Sequence, residues 1–226
     1  MKRTLLTAAL AALTLGAVQA TGIDWAPLWA VDGYGSVATD TSSRGRQTGI
    51  ELGTKWTVLA NVTINDISAI NSGWPVLIGV SDEQRGTEQD SNGHLLSPWR
   101  VLIDASRQII NATDVNLGDS APALTAGTHE VAITGNDGTL SYYYDGTLLG
   151  SISVDTDSIS AITWGQQRPD GNGVQVLPGE WSMDIAYVDG MTYDEVGDAI
   201  AALPEPTALA LLALGVAGVA LRRRVA

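Results

Sequence analysis

Side chains able to act on a substrate are dispersed along this chain. Three acids at alternate positions of one strand would share a face, one placed as nucleophile and one as acid. No run of that spacing occurs. The densest acidic cluster, Asp82, Glu83, Glu88 and Asp90, sits in SDEQRGTEQDSNG, which has the composition of a solvated loop. Glu180 and Asp184 would share a strand face with Ser182 between them, a weak basis for a catalytic pair. A Ser-His-Asp relay would need His94 or His129, the only histidines. His94 lies in a Gly-Asn loop, His129 begins a strand, and no Gly-x-Ser-x-Gly elbow is present. The absence of cysteine removes thiol nucleophiles, disulfides and thiolate metal sites. No catalytic residue is assigned, and the chain reads as a non-enzyme.

Binding chemistry is better represented. Exposed aromatics stack on sugar rings while Asn, Asp or Gln take the hydroxyls. The seven tryptophans are Trp25, Trp29, Trp56, Trp74, Trp99, Trp164 and Trp181. Five of them start or end a strand, where each could equally cap the core. Between Lys2-Arg3 at one end and Arg222, Arg223 and Arg224 at the other, the chain has seven basic and 25 acidic residues. Such a surface repels phosphate backbones, so nucleic acid is excluded as a partner. With 45% hydrophobic and only 16% charged residues, the acidity does not imply disorder.

The elements that would hold these residues are strands. Residues 22–198 show period-two runs separated by Gly, Asn and Asp clusters. Trp56, Val58, Ala60, Val62 and Ile64 give one strand a buried face, although Leu59 interrupts its polar side. Trp74 to Val80 is apolar on both sides, as a central strand is beyond a leading proline. Trp99 to Ile103 and Gln108 to Ile110 flank a short turn. His129 to Thr134 pairs with Leu140 to Tyr144 across Gly135-Asn136-Asp137-Gly138. Asp145-Gly146 is the strongest hairpin signal, because both residues tolerate positive φ. Leu148 to Val154 returns, so Gly146 is expected to need positive φ and Gly150 not. Ile159 to Trp164 and Trp181 to Val188 follow, and only Tyr193 to Leu203 favours a helix. About ten strands without a repeated unit predict an all-β, two-sheet antiparallel sandwich.

Both ends read as addresses. Residues 1–20, MKRTLLTAALAALTLGAVQA, have the cationic start, apolar run and small residues of a secretory signal, with cleavage expected between Ala20 and Thr21. Secretion translocon and signal peptidase are the partners this implies. The tail has no charge from Thr207 to Leu221 and then three arginines. A helix of that length spans roughly 22 Å, short of the ~30 Å hydrocarbon core, which suits a temporary inner-membrane anchor. Pro204 and Pro206 stop the helix on the outer side, and Arg222 to Arg224 stay cytoplasmic.

Pro204-Glu205-Pro206, the apolar Ala/Leu/Gly segment and the arginine cluster resemble the PEP-CTERM sorting signal, over residues 204–226. That resemblance implies a Gram-negative bacterium and an exosortase-type membrane protease that cuts near the motif. A second resemblance covers about 75 residues of the second half. Tyr143-Tyr144-Asp145-Gly146, Trp164-Gly165, Asp184 and the helix Tyr193 to Ile200 are similar in order to the laminin-G-like, concanavalin-A-like jelly roll, here over 22–198. That family uses the position of Asp184 structurally and often holds calcium, which needs about six to eight oxygens. Asp82, Glu83, Glu88 and Asp90, or Asp155 with Asp157, could supply some, but Asp90-Ser91-Asn92-Gly93 is only a fragment of a calcium loop. No cofactor is therefore required, calcium is the ion the loops could take, and neither its ligands nor a sugar-binding set is identified. The functional expectation is an exported surface or extracellular-matrix protein, non-catalytic, with polysaccharide as its candidate partner. A divergent glycan hydrolase or a protein-binding adhesin on the same fold are the alternatives.

Overall fold

The computed structural model describes residues 22–71, 73–82, 98–154, 156, 159–168 and 180–203. The signal segment with Ala20 and Thr21, the acids Glu83, Glu88, Asp90, Asp155 and Asp157, His94, and the tail from Pro204 through Arg224 lie outside the described residues.

Eleven described strands form two sheets. The six-stranded sheet runs β1 (Tyr34–Thr41), β11 (Trp181–Asp189), β3 (Lys55–Ile64), β7 (Gly127–Asn136), β8 (Thr139–Tyr144) and β9 (Thr147–Ser153). The five-stranded sheet runs β2 (Gly45–Thr48), β10 (Ile159–Arg168), β4 (Trp74–Asp82), β5 (Trp99–Asp104) and β6 (Ile109–Ala112). All neighbours are antiparallel, so the chain is a jelly-roll sandwich. Each sheet gives one set of alternating residues to a shared core: Trp56, Val58, Val62 and Val131 from one, Ile78, Val80, Val101 and Ile162 from the other. β4 is central in its sheet, between β10 and β5, and residues 75–81 are buried on both of its sides, which accounts for its apolar character.

Leu59 is not an error in the β3 pattern. The outer face of the six-stranded sheet carries a second apolar cluster in which Leu59, Ala132, Ala186 and Val188 meet Leu28, Val31, Tyr193 and Val196. The covering residues come from the N-terminal segment, with its 3-10 turn Leu28–Ala30, and from helix α1 (Tyr193–Ala201). At the start of α1, Glu195 accepts from the Thr192 backbone N–H at 2.8 Å in a capping box and pairs with Lys55 Nζ at 2.9 Å. α1 runs to Ala201, three residues short of Pro204.

The hairpins form where the turn residues predict. Asp145 and Gly146 have φ of 46° and 74°, the two positive angles a two-residue hairpin requires. The β7–β8 turn is tighter than expected, since β7 continues through Asn136 and only Asp137 and Gly138 turn. The contrast drawn between Gly146 and Gly150 needs correction. Gly150 has φ 157° at a register shift opposite Tyr142 and Tyr143, and a Cβ there would lie 2.5 Å from Val115 Cγ1. A positive φ and close approach together select this glycine, outside any turn.

Candidate functional site

A cleft of about 260 Å³ opens beside the edge strand β6. The β5 alternation directs Val101 and Ile103 into the core and leaves Arg100 and Leu102 facing out. β6 likewise buries Ile110 and turns Asn111 outward. Beyond β6, Thr113 N–H donates to the Arg100 carbonyl at 3.0 Å, and Asp114, at φ 61°, folds the chain back so that Val115 lines the cleft. Trp74, at the head of β4, completes the wall and is 38% exposed. The cleft therefore brings together an indole face, a guanidinium, a carboxamide and a carboxylate. A sugar ring can stack on the first while its hydroxyls bond the other three.

A second polar cluster ties the sandwich to its covering elements. Glu130, on the outward side of β7, is buried. It accepts from Ile23 N–H at 2.8 Å and Trp25 Nε1–H at 3.1 Å through one oxygen, and from the Tyr193 hydroxyl through the other. Burial raises its pKa against these hydrogen bonds. Burial and the adjoining Glu130 carboxylate push the Tyr193 phenol up as well. Tyr193 stacks on Tyr143 with ring centroids 4.2 Å apart. Next to Glu130, His129 Nδ1 bonds Asp145 Oδ2 at 2.8 Å, and its Nε2 meets Thr125 Oγ1 at 3.2 Å and the Thr125 carbonyl at 3.1 Å. Hydroxyl, imidazole and carboxylate thus stand in the order of a nucleophilic relay. The remaining bonds give the group a structural task. Asp145 Oδ1 accepts the Glu130 N–H at 2.9 Å, the imidazole stacks on Tyr144, and together they fasten the β8–β9 turn to the head of β7.

The structure separates the other residues singled out in the sequence. Asp184 does not pair with Glu180; it accepts the Asp40 N–H at 2.9 Å, where β1 departs from regular register. Trp56, Trp164 and Trp181 are core residues, Trp25 serves Glu130, and Trp29 is 72% exposed in the 3-10 turn. Among the described residues no group of three or more His, Asp or Glu could hold a metal ion. No helix among them is long and apolar enough to cross a membrane. The sequence singles out neither Arg100 nor Asp114. Their convergence depends on two strand pairings and a left-handed residue that no local pattern announces. Glu130 was hidden because an acid between His129 and Val131 reads as an ordinary solvent position of a strand.

Comparison with known proteins gives distant structural neighbours and one motif match. No curated protein matches the chain. Trypanosoma rangeli sialidase in complex with 2,3-difluorosialic acid aligns at 16% identity and TM-score 0.44, over 75% of this chain and 29% of that one. Alginate lyase AlyC3 in complex with dimannuronate aligns at 15% identity and TM-score 0.37, over 68% and 70%. Caenorhabditis elegans galectin LEC-6 aligns at 8% identity and TM-score 0.42, over 70% and 96%. The chain spans less than a third of the sialidases it matches. The family model described as the PEP-CTERM protein-sorting motif matches residues 202–224, directly after α1. The segment that follows the last helix of the sandwich is a PEP-CTERM sorting motif, which implies export and processing by an exosortase at the membrane.

Proposed function

We propose that this protein is an exported, exosortase-processed component of the bacterial surface or extracellular matrix that binds polysaccharide without cleaving it. The observation that carries the delivery route is the sorting motif at 202–224 beginning one residue after α1 ends. The chain enters through the translocon, loses residues 1–20 to signal peptidase, and waits at the inner membrane on its C-terminal segment. Cutting near Pro204-Glu205-Pro206 then frees a sandwich of the laminin-G-like or concanavalin-A-like type. Carbohydrate binding is assigned to the cleft of Trp74, Arg100, Asn111 and Asp114, where stacking and hydroxyl-bonding groups converge. The non-catalytic reading is supported by the structural employment of Glu130, Asp145, Asp184 and His129.

Processed protein from its native envelope, screened against a polysaccharide panel, tests the assignment. Retention that Trp74→Ala abolishes, with no release of reducing ends, is the expected result. Release of reducing sugar by pure protein would make this a glycan hydrolase instead.

A further inference from the structure

Charge is distributed unevenly between the two sheets. On β1, β3, β7, β11 and α1 the acids Asp40, Glu130, Asp184 and Asp189, with Asp194, Glu195 and Asp198 on the helix, face a single cation, Lys55. Among the described side chains, the strands of the five-stranded sheet carry Arg46 and Arg100 against Asp104. Asp104 is buried and committed to the Ser106 hydroxyl at 2.7 Å and the Arg107 N–H at 3.2 Å. In a protein with a formal charge of −13, both described strand arginines lie on the sheet that bears the cleft.

Strand register places two of them on one face. Arg46 of β2 pairs with Thr163 of β10, Thr163 with Gly79 of β4, and Gly79 with Arg100 of β5. Partners opposite each other across antiparallel strands point to the same side. Their neighbours Ile162, Val80 and Val101 are core residues, so this row lies on the outer face. Three strand spacings separate the backbones of Arg46 and Arg100 by roughly 14 Å, and Thr163 and Gly79 between them are buried, so Arg46 acts on the cleft through its field alone. Arg46 is exposed and Arg100 lines the cleft. Both arginines have partners within the fold, yet a guanidinium has five N–H donors and can serve a further carboxylate.

We infer that the cleft beside Trp74 takes a carboxylated polysaccharide, a polyuronate, in preference to a neutral one. The inference rests on the glycan-binding reading above and names its ligand class. Trp74 stacks on a sugar ring, Arg100 receives the ring's carboxylate, and Asn111 with Asp114 takes hydroxyls. Arg46 supplies positive field along the same face, while the acidic opposite sheet repels the polymer. Asp114 is the one carboxylate lining the cleft, and it opposes the anionic ligand.

Polygalacturonate and its fully methyl-esterified form test this, because esterification removes the charge and keeps the backbone. With the full chain in detergent, polygalacturonate is expected to bind about tenfold tighter than the ester, as loss of a charge-assisted bond predicts. The preference should weaken at raised salt. Arg100→Gln should erase it, Arg46→Gln should reduce it by about half, and Asp114→Asn should raise affinity for the charged polymer about threefold. Trp74→Ala should weaken both polymers alike. Equal or tighter binding of the ester would overturn the inference and leave the glycan-binding reading in place. Binding of neither polymer would overturn the inference and leave the glycan-binding reading to be decided by the polysaccharide panel. A charge preference indifferent to Arg100, Asp114 and Trp74 would place the ligand elsewhere and overturn the inference too. The opposite signs expected at Arg46 and Asp114, both exposed to the ligand side, keep the test decisive if Arg100→Gln fails to fold.

Discussion

The hydroxyl of Tyr193 donates to the carboxylate of Glu130, 63 residues earlier, and so fastens the last helix to the middle of the six-stranded sheet. The other oxygen of the same carboxylate holds Ile23 and Trp25. One buried side chain therefore binds both ends of the folded domain to its core. α1 leads directly into the sorting motif, so this bond also fixes where the processing segment leaves the sandwich.

Glu130→Ala leaves two part-buried donors and a buried phenol unsatisfied and should cost about 2–3 kcal/mol in urea unfolding. Glu130→Gln keeps an acceptor for Ile23 and Trp25 and a donor for Tyr193, and should cost less. Because burial raises the Glu130 pKa, the folded state holds the proton more tightly than the unfolded state does. This residue's contribution is thus most favourable in acid and declines as pH rises from the unfolded value near 4.5 through the raised folded value. Glu130→Gln should flatten that part of the stability profile. A profile unchanged by the substitution would mean that Glu130 is not the group responsible.

Asp145 offers a second test of the same region. Asp145→Ala removes the acceptor for both His129 and the Glu130 N–H and should destabilise by about 1–3 kcal/mol. Asp145→Asn retains an acceptor for the backbone and the capacity for positive φ, so its urea midpoint should fall between wild type and Asp145→Ala.

Gly146→Val and Gly150→Val should both cost more than about 1 kcal/mol, for different reasons. The first forces a β-branched residue to φ 74°, and the second drives a side chain into Val115. Val115→Ala should relieve only the Gly150 variant, and only in part because the strain at φ 157° remains, which denaturation of the double mutants would show.

The period-two pattern makes β3 to β11 legible but not β1 or β2, while the aspartyl-glycine turns and the final helix are legible from their own residues. These rest on local chemistry: alternation, positive φ at Asp145-Gly146, and the Thr192–Glu195 spacing that caps α1. What sequence did not disclose was the second apolar layer around Leu59, which depends on residues 22–31 and 193–200 meeting on one sheet face. The cleft was opaque for a similar reason. Trp74, Arg100 and Asp114 are separated along the chain and become neighbours only through the β4–β5–β6 register. Trp74 could not be told from Trp56 by type or position, although one is 38% exposed and the other fully buried.

That difference gives a further prediction. Trp56→Ala should cost about 3–5 kcal/mol, as removal of a buried aromatic does. Trp74→Ala should leave the thermal midpoint nearly unchanged while removing polysaccharide retention. Comparable stability losses for the two would return Trp74 to a packing role and leave the cleft without its stacking surface.

The intact mass of the protein recovered from its native envelope tests the account's central claim most directly. The mature species should lack residues 1–20 and everything beyond the Pro204-Glu205-Pro206 region, ending within a few residues of α1. A mature species that still carries Arg222, Arg223 and Arg224 would contradict it: the tail would then be a permanent anchor, and the surface or matrix location would fall with it.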